Sequence, residues 1–271
     1  MYNFSQEQLR RYARHFSLRE CGFKGQEKIL ESKVLIVGAG GLGSPVAYYL
    51  AAAGVGEIGI IDADNVDLSN LQRQILHSTT DIGTPKIESA QKKLQAINPD
   101  VTITPFLSML DSHNALEIIS QFDVVVDGCD NFASKFLIND ACVLLNKPYS
   151  HGGILRFSGQ SMSVKPKESA CYACIFDSPP PQGSVPSCAE AGVFGSVAGI
   201  LGSIQATEVL KIITGIGEPL YNQLLSFDSL SMAFRKVKLK KNPQCRVCGE
   251  NGITQLQNYA QQECTLSVNI R

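Results

Sequence analysis

The sequence predicts an α/β fold with a doubly wound, mostly parallel sheet. Short apolar runs at residues 34–37 and 58–61 are typical of buried strands, and stretches with helical periodicity follow at residues 44–53 and 87–97. Strands that alternate with helices in this way form parallel βαβ units. We therefore expect one layered domain that extends over residues 1–271.

Three further elements complete the first half of the chain. An amphipathic helix is predicted over residues 5–19, with apolar side chains on one face and arginines on the other. A buried strand is predicted within residues 123–131, and a helix follows it at residues 132–145. These elements extend the βαβ alternation to the middle of the sequence.

The second half is expected to be different. Residues 160–165 and 223–239 alternate polar and apolar side chains, which predicts antiparallel strands with one open face. Residues 192–214 are apolar but contain Gln205 and Glu208, so an interior helix is expected there rather than a membrane span.

A glycine-rich turn joins the first strand to the first helix of the sheet. Gly38, Gly40 and Gly43 have the G-x-G-x-x-G spacing of Rossmann-like folds, in which the backbone approaches a phosphate at a helix N-terminus. The next strand ends at Asp62, where a carboxylate can accept hydrogen bonds from ribose hydroxyls. These residues alone leave NAD and ATP as equal candidates.

The polar residues that follow favour ATP. Asn70 and Arg73 come just after a second acidic residue, Asp64, and Lys86 begins a predicted helix. Transfer of a phosphoryl or nucleotidyl group needs cations that counter the charge on the phosphate oxygens. A dehydrogenase has no evident use for these side chains, although each cation by itself could be a solvated surface charge.

The strand within residues 123–131 ends in Asp127, Asp130 and Asn131. Ligands of open α/β proteins bind at the carboxyl ends of such strands. The carboxylate of Asp130 could hold Mg²⁺ against the phosphates. Alternatively, Asp130 could be the N-cap of the helix that follows. The spacing leaves both interpretations open.

Four of the nine cysteines form two C-x-x-C pairs, Cys171 with Cys174 and Cys245 with Cys248. Each pair can supply half of a tetrahedral thiolate site, so a structural Zn²⁺ is expected. A redox pair and unligated thiols are the alternatives. A fifth cysteine, Cys188, follows a Pro- and Ser-rich stretch that is expected to be a mobile loop, and a partner could reach its thiol.

An ordered set of motifs resembles the ubiquitin-activating-enzyme-like adenylyltransferase family (the HesA/MoeB/ThiF group) over nearly the whole chain. The motifs are RYARHF, GAGGLGS, DADNVDLSNLQRQ, GTPKIESA, DGCDN, CYAC, SCAEAGVFG and NPQCRVCG. EAGVFG and NPQCRVCG favour the molybdopterin-synthase branch of the family, and the thiazole (thiamin) branch is the alternative.

The resemblance implies an enzyme that joins the C-terminal glycine of a small ubiquitin-like sulfur carrier, ending in Gly-Gly, to AMP. The nucleotide would lie against Gly41, with its ribose at Asp62 and Mg²⁺ at Asp130. The implied phosphate contacts are Asn70, Arg73 and Lys86. The paired cysteines match the structural Zn²⁺ site of the family.

The resemblance also implies partners. Arg14 matches an arginine that reaches the phosphate site of a second subunit, so a homodimer is expected. A separate protein would donate sulfur. Cys188 matches a cysteine that bonds covalently to the carrier in some relatives.

Three positions depart from the pattern of the family. Lys135 replaces an arginine, Cys129 replaces a threonine, and His15 replaces a glutamine. A lysine keeps the charge but lacks the planar fork of arginine, which puts a bidentate contact in doubt.

Composition sets the remaining expectations. With 44% hydrophobic residues and a net charge of -1, the chain can bury a core and has no general attraction to nucleic acid. Thiols arranged for zinc and the absence of a secretory signal favour the cytoplasm. A NAD-dependent oxidoreductase and a non-catalytic scaffold, the latter supported only by Lys135, remain alternatives.

Within the single domain, four segments are expected. They are an N-terminal helical segment (1–30), a nucleotide-binding half (31–150), a carrier-binding half with the zinc site (151–250) and a short tail (251–271).

Overall fold

The computed structural model describes residues 2–181, 184 and 191–260, which contain one eight-stranded mixed sheet with helices on both faces. The strands are β1 (Lys33–Val37), β2 (Glu57–Ile61), β3 (Thr102–Phe106), β4 (Val124–Asp127), β5 (Tyr149–Leu155), β6 (Ser158–Val164), β7 (Gln223–Asp228) and β8 (Ala233–Lys238). Their spatial order is β3-β2-β1-β4-β5-β6-β7-β8. Strands β1 to β5 are parallel, and the pairs from β5 to β8 are antiparallel, which confirms the predicted fold class.

The described helices cover both faces of the parallel half. They are α1 (Gln6–Arg11), α2 (Ala13–Phe16), α3 (Gly22–Glu31), α4 (Gly43–Ala53), α5 (Lys86–Ile97), α6 (Ala115–Ser120), α7 (Phe132–Leu144) and α8 (Gly195–Thr214). Alternate residues of β1 point to opposite faces, so Ile36 joins the core beneath α4, α5 and α8. Its neighbour Leu35 joins the core beneath α6 and α7.

The order of the strands defines where a ligand would bind. Chain connections lead from β1 outward to β2 and β3, and then return to β4 on the other side of β1. Such a reversal leaves a crevice at the carboxyl ends of the two central strands, which is the usual ligand site of open α/β sheets. The glycine-rich turn follows β1, and the Asp-Asn pair follows β4.

Helix α8 packs in the interior, as the sequence predicts. A Cβ on Gly202 would lie 2.4 Å from Pro45, so a glycine is needed where α8 crosses α4. Glu208 is buried and accepts hydrogen bonds from the Leu220 amide and the Ser163 hydroxyl. Within the described residues, α8 is the one helix long and apolar enough to cross a membrane, but a buried core helix passes the same test and half of that stretch is buried.

The prediction of one continuous helix over residues 5–19 is wrong. The segment forms two short helices that break at Tyr12, whose φ and ψ are -98° and 15°. The Tyr12 ring is buried, and its hydroxyl accepts a hydrogen bond from Asn98 Nδ2 at 2.9 Å. A Cβ on Gly54 would lie 2.4 Å from that hydroxyl. Docking of this ring between the ends of α4 and α5 therefore replaces the regular helix.

Other predicted elements are confirmed to within a few residues, including β1, β2, α4, α5, α7 and α8. The predicted stretch 223–239 is a hairpin of two strands, and the strand within residues 123–131 ends at Asp127. Strands β3 and β5 and helix α6 lack a clear periodic signal and were not predicted, whereas α3 lies within the predicted N-terminal helical segment (1–30).

The described part of the C-terminal tail packs back onto α7. The hydroxyl of Tyr259 donates a hydrogen bond to Asp140, and it accepts one from Arg246 Nη1 at 2.7 Å. The guanidinium of Arg246 also lies 5.4 Å from the ring centroid of Phe136. These contacts fasten the segment around Cys245 and Cys248 to α7.

Candidate active site

The glycine-rich turn after β1 is tight because its backbone contacts other backbone. Gly38 has a φ of +96°, which favours glycine, and a Cβ there would lie 3.0 Å from the carbonyl oxygen of Gly128 after β4. A Cβ on Gly43 would lie 1.9 Å from the carbonyl oxygen of Gly38. Side chains at these positions are excluded by the geometry of the turn.

Asp62 at the end of β2 fixes this turn. Its Oδ2 atom accepts the Ala39 amide at 2.8 Å, and its Oδ1 atom accepts the Asp64 amide at 2.9 Å. The side chain is 11% exposed, so part of the carboxylate faces solvent beside the turn. The predicted position beside a nucleotide ribose fits this geometry.

His77 links the glycine-rich turn to α5, and the sequence did not predict this role. Its Nε2 atom lies 3.0 Å from the Ala39 carbonyl, and its Nδ1 atom lies 2.9 Å from the Ser89 hydroxyl of α5. Burial lowers the pKa of His77, so the ring is neutral and Nε2 donates to the carbonyl. A lone histidine after an apolar run gave no signal of this role.

Lys86 begins α5 and reaches the acidic end of β2. The residue is 5% exposed, and its ammonium lies 2.8 Å from Asp64 Oδ2 and 4.0 Å from Asp62 Oδ1. Asp64 is itself 68% exposed. The ammonium is therefore held at the end of β2 by a carboxylate that can turn to solvent when another anion binds.

Asn70 and Arg73 lie on a short turn opposite the glycine loop. The carbonyl of Asn70 accepts the amide of Arg73, and Arg73 Nη1 donates to the Ser69 carbonyl at 3.0 Å. A Cβ on Gly41 would lie 3.5 Å from Cγ of Arg73, so the arginine stem borders the loop. The structure thus brings Arg73 and Gly41 together, as expected.

Gln74, the next residue, was not singled out from the sequence. It is 5% exposed, and its Oε1 atom has no hydrogen-bond partner among the described residues. A Cβ on Gly40 would lie 3.7 Å from its Nε2 atom. An unsatisfied amide oxygen beside the loop is a further candidate for contact with a ligand.

The structure distinguishes the roles of Asp130 and Asn131, which follow β4 by three and four residues. Asn131 is the N-cap of α7, because its side chain accepts the Ser134 amide at 2.8 Å. The capping role considered for Asp130 therefore belongs to its neighbour. Asp130 is exposed, and its carboxylate makes no hydrogen bond or ion pair with a residue in the described part of the chain. It is a hard oxygen ligand available at the crevice, and it fits Mg²⁺.

Lys135 on α7 is buried rather than directed at the crevice. Its ammonium contacts both carboxylate oxygens of Asp127, at 3.2 and 3.1 Å, and Asp127 also accepts a hydrogen bond from His151 Nδ1 at 2.6 Å. Burial by itself would raise the pKa of Asp127, but Lys135 and His151 bring it below its usual value. The bidentate contact that the change from arginine put in doubt is replaced by a single ammonium that bridges both carboxylate oxygens.

The two C-x-x-C pairs come together as predicted. The four Sγ atoms of Cys171, Cys174, Cys245 and Cys248 lie within 4.8 Å of one another. The Asn242 amide donates to the sulfur of Cys174 at 3.4 Å, and hydrogen bonds with Cys171 and Cys248 lower the pKa of the Cys174 thiol. Four converging sulfurs, two of them buried, form a donor set that can hold a tetrahedral metal ion such as Zn²⁺.

Two predicted residues are not part of this arrangement. Arg14 is exposed on α2, and it lies two residues from Tyr12, which docks at the amino edge of the parallel strands. The crevice is at the opposite edge, so Arg14 does not join the site within one subunit. Cys188 lies outside the described residues.

The ThiF family model matches residues 12–247. The chain belongs to the ThiF family. The match includes the glycine loop, the Asp-Asn pair and three of the four paired cysteines, and it begins just before Arg14.

Two similar proteins have nearly the same length as this ThiF-family chain. The sulfur carrier protein adenylyltransferase of Thermus thermophilus is 48% identical over 252 residues, which is 91% of this chain and 93% of the relative. The SAMP-activating enzyme E1 of Haloferax volcanii is 44% identical over 262 residues, with 96% and 97% covered.

Another relative is longer. The probable adenylyltransferase/sulfurtransferase MoeZ of Mycobacterium tuberculosis is 44% identical, and the match covers 95% of this chain but 65% of MoeZ. Among solved structures, E. coli MccB with MccA-N7isoASN superimposes with a TM-score of 0.79 at 27% identity, covering 92% of this chain and 76% of MccB. The similarity supports the Rossmann-like α/β fold.

Proposed function

We propose that this ThiF-family chain is an adenylyltransferase that uses ATP to activate the C-terminal carboxylate of a small ubiquitin-like sulfur carrier. The observation that carries the proposal is the buried ammonium of Lys86, held 2.8 Å from the exposed Asp64 beside the glycine loop. A dehydrogenase cofactor does not need this cation, whereas a triphosphate does. The names of the two full-length relatives support the same activity.

Each residue at the crevice would have a separate role in the reaction. The carrier carboxylate attacks the α-phosphorus of ATP, a mixed anhydride with AMP forms, and pyrophosphate leaves. Two anions must approach each other, so cations at Arg73 and Lys86 would offset their repulsion and orient them for in-line attack. The exposed Asp64 would release Lys86 to the phosphates, and Asn70 would contribute a neutral hydrogen-bond donor.

The remaining residues of the site would position the nucleotide. Gly38, Gly40 and Gly43 allow the phosphates to approach the backbone, and Asp62 would hold the ribose. Asp130 would hold Mg²⁺, which when bound neutralises charge on the phosphate oxygens. None of these residues has to act as a strong acid or base.

A structural Zn²⁺ is proposed at the four paired cysteines. The ion would join residues 171–174 to residues 245–248, two segments that are far apart in the sequence. Tyr172, between the first two ligands, packs on His151 with 4.6 Å between ring centroids. Through this contact the zinc site would support strand β5.

The carrier and a second subunit are the proposed partners. The antiparallel strands offer an open sheet, since every residue of β8 is exposed and Phe234 and Val237 lie on it. Because Arg14 cannot serve the crevice of its own subunit, it would serve that of a partner in a homodimer. A separate protein would donate the sulfur, and a cytoplasmic location fits this reaction.

The pathway is proposed to be molybdopterin synthesis, with thiazole synthesis as the alternative. ATP–pyrophosphate exchange, measured with carriers from both pathways, separates them. We expect exchange only with a cognate carrier and none with the same carrier lacking its terminal glycine. Absence of exchange with every carrier would contradict the proposed function, and would favour the scaffold or the NAD-dependent oxidoreductase.

A further inference from the structure

A buried ammonium connects three chain segments beneath the crevice. Besides both oxygens of Asp127, Lys135 Nζ donates to the carbonyl of Cys129 at 2.7 Å and to that of Gly152 on β5 at 2.6 Å. Lys135 is 7% exposed. Every one of these acceptors belongs to the protein, so the ammonium is saturated by internal contacts.

These contacts fix the backbone on one side of Asp130. The carbonyl of Cys129 belongs to the peptide bond that leads into Asp130, and Lys135 holds it toward the interior. The amide of Cys129 donates to Asp127 Oδ1 at 3.1 Å, so both polar groups of that residue are bound to one buried ion pair.

The backbone on the other side of Asp130 is fixed as well. The side chain of Asn131 accepts the Ser134 amide and caps α7. Asp130 is therefore the exposed residue between two anchored neighbours, and its carboxylate forms no hydrogen bond or ion pair with another described residue. A metal ligand held in this way has little backbone freedom to lose when it binds an ion.

We propose that Lys135 is a positioning residue, which sets the loop at residues 128–131 so that Asp130 presents a preorganised carboxylate to Mg²⁺–ATP. The inference rests on the proposed function, because it assumes that Asp130 binds the magnesium of the nucleotide. It assigns the buried Lys135–Asp127 pair to metal-dependent binding rather than to stability alone. Groups that orient a metal ligand commonly contribute about 10- to 100-fold to metal affinity.

The test compares the affinity for a fluorescent ATP analogue in Mg²⁺ and in EDTA. The ratio of the two dissociation constants measures the gain that the metal provides, without any turnover. Lys135→Met leaves the Asp127 carboxylate buried without its main partner, so the double variant Asp127→Asn/Lys135→Met removes both charges and protects the fold. Asp130→Asn defines the ratio that remains without the proposed ligand.

We expect the double variant to stay folded, with a thermal midpoint lowered by the loss of the hydrogen bonds to the Cys129 and Gly152 carbonyls. Its affinity in EDTA should stay the same, while its Mg²⁺ ratio falls about 10-fold or more toward that of Asp130→Asn. Lys165→Met is the matched control. This substitution breaks a half-exposed ion pair with Glu168. The pair lies near the amino end of β5, away from the crevice, so the Mg²⁺ ratio should not change.

A normal Mg²⁺ ratio in the double variant, or an equal loss of affinity in Mg²⁺ and in EDTA, would overturn the inference while leaving the adenylation proposal intact. Failure of the wild-type protein to bind the analogue would instead contradict the nucleotide site, and with it both proposals.

Discussion

Asp130 and Asn131 show how neighbouring residues of similar polarity take different duties. The sequence predicts that this pair lies at a ligand-binding edge, but it cannot distinguish the helix cap from the metal ligand. The distinction depends on where each side chain lies. The Asn131 side chain accepts the Ser134 amide at the start of α7, and the Asp130 side chain is exposed to solvent. A capping asparagine and a free carboxylate are both common after a strand.

Replacement of Asp130 by asparagine should strongly lower activity without harming the fold. We expect ATP–pyrophosphate exchange to fall about 100- to 1,000-fold, which is the usual cost of removing one electrostatic stabiliser of a transition state. The thermal midpoint should move by about 2 °C or less, because the exposed carboxylate has no hydrogen bond or ion pair with a described residue to lose. Glu117→Gln, an exposed carboxylate on α6, is the control. A variant with unchanged exchange would show that Asp130 is not the metal ligand.

Other residues of the site could be predicted only in part. The spacing of Gly38, Gly40 and Gly43 and the polar residues that follow them indicate a phosphate site. His77 and Gln74 could not be identified, since their roles arise from contacts with Ala39 and Gly40 that only the folded chain brings close. A lysine at position 135 put a bidentate contact in doubt, but its buried ammonium bridges both oxygens of Asp127.

Among the elements, strands with apolar runs or with polar and apolar alternation were predicted, and β3 and β5, which have neither, were missed. Strand β3 contains Pro105, which a sheet tolerates because β3 is an edge strand. Strand β5 carries His151 and two glycines, which obscure its apolar pattern. One of these glycines, Gly152, lies against Gln205, where a Cβ would be 2.5 Å from the side chain. Tertiary contacts of this kind leave no periodic signal.

The zinc site provides a test of the proposed link between elements. In Cys245→Ser we expect the zinc content to fall from one ion per chain and the thermal midpoint to fall by about 10 °C, since metal binding contributes directly to folding free energy. The cause would be release of residues 245–248 from the core that Cys171 and Tyr172 share with α7. Cys21→Ser, a half-buried thiol outside the cluster, is the control. Equal zinc content in both variants would contradict the assignment.

If Arg14 belongs to the nucleotide site, the crevice of a single subunit is incomplete, because it lacks this arginine. In one subunit the crevice and α2 lie at opposite ends of the parallel strands, so under the proposed arrangement a second copy would supply the arginine. Closed twofold dimers place the same residue in both sites.

Mixed dimers test this arrangement. Arg14→Ala and Asp130→Ala subunits should each be inactive alone, but after they exchange subunits we expect about a quarter of wild-type activity, because half of the dimers regain one complete site. Exchange assays on the mixture, compared with the unmixed variants, give the result. If mixing restores nothing although heterodimers are detected, Arg14 does not act across the interface.

The proposed reaction transfers a nucleotide, and not a phosphate, to the carrier. Incubation of the protein, a cognate carrier and Mg²⁺ with ATP labelled at the α-phosphate or at the γ-phosphate distinguishes the two. Adenylation predicts that the α-label appears on the carrier and that the γ-label leaves as pyrophosphate. Label on the carrier from the γ-phosphate, or from neither phosphate, would contradict the account.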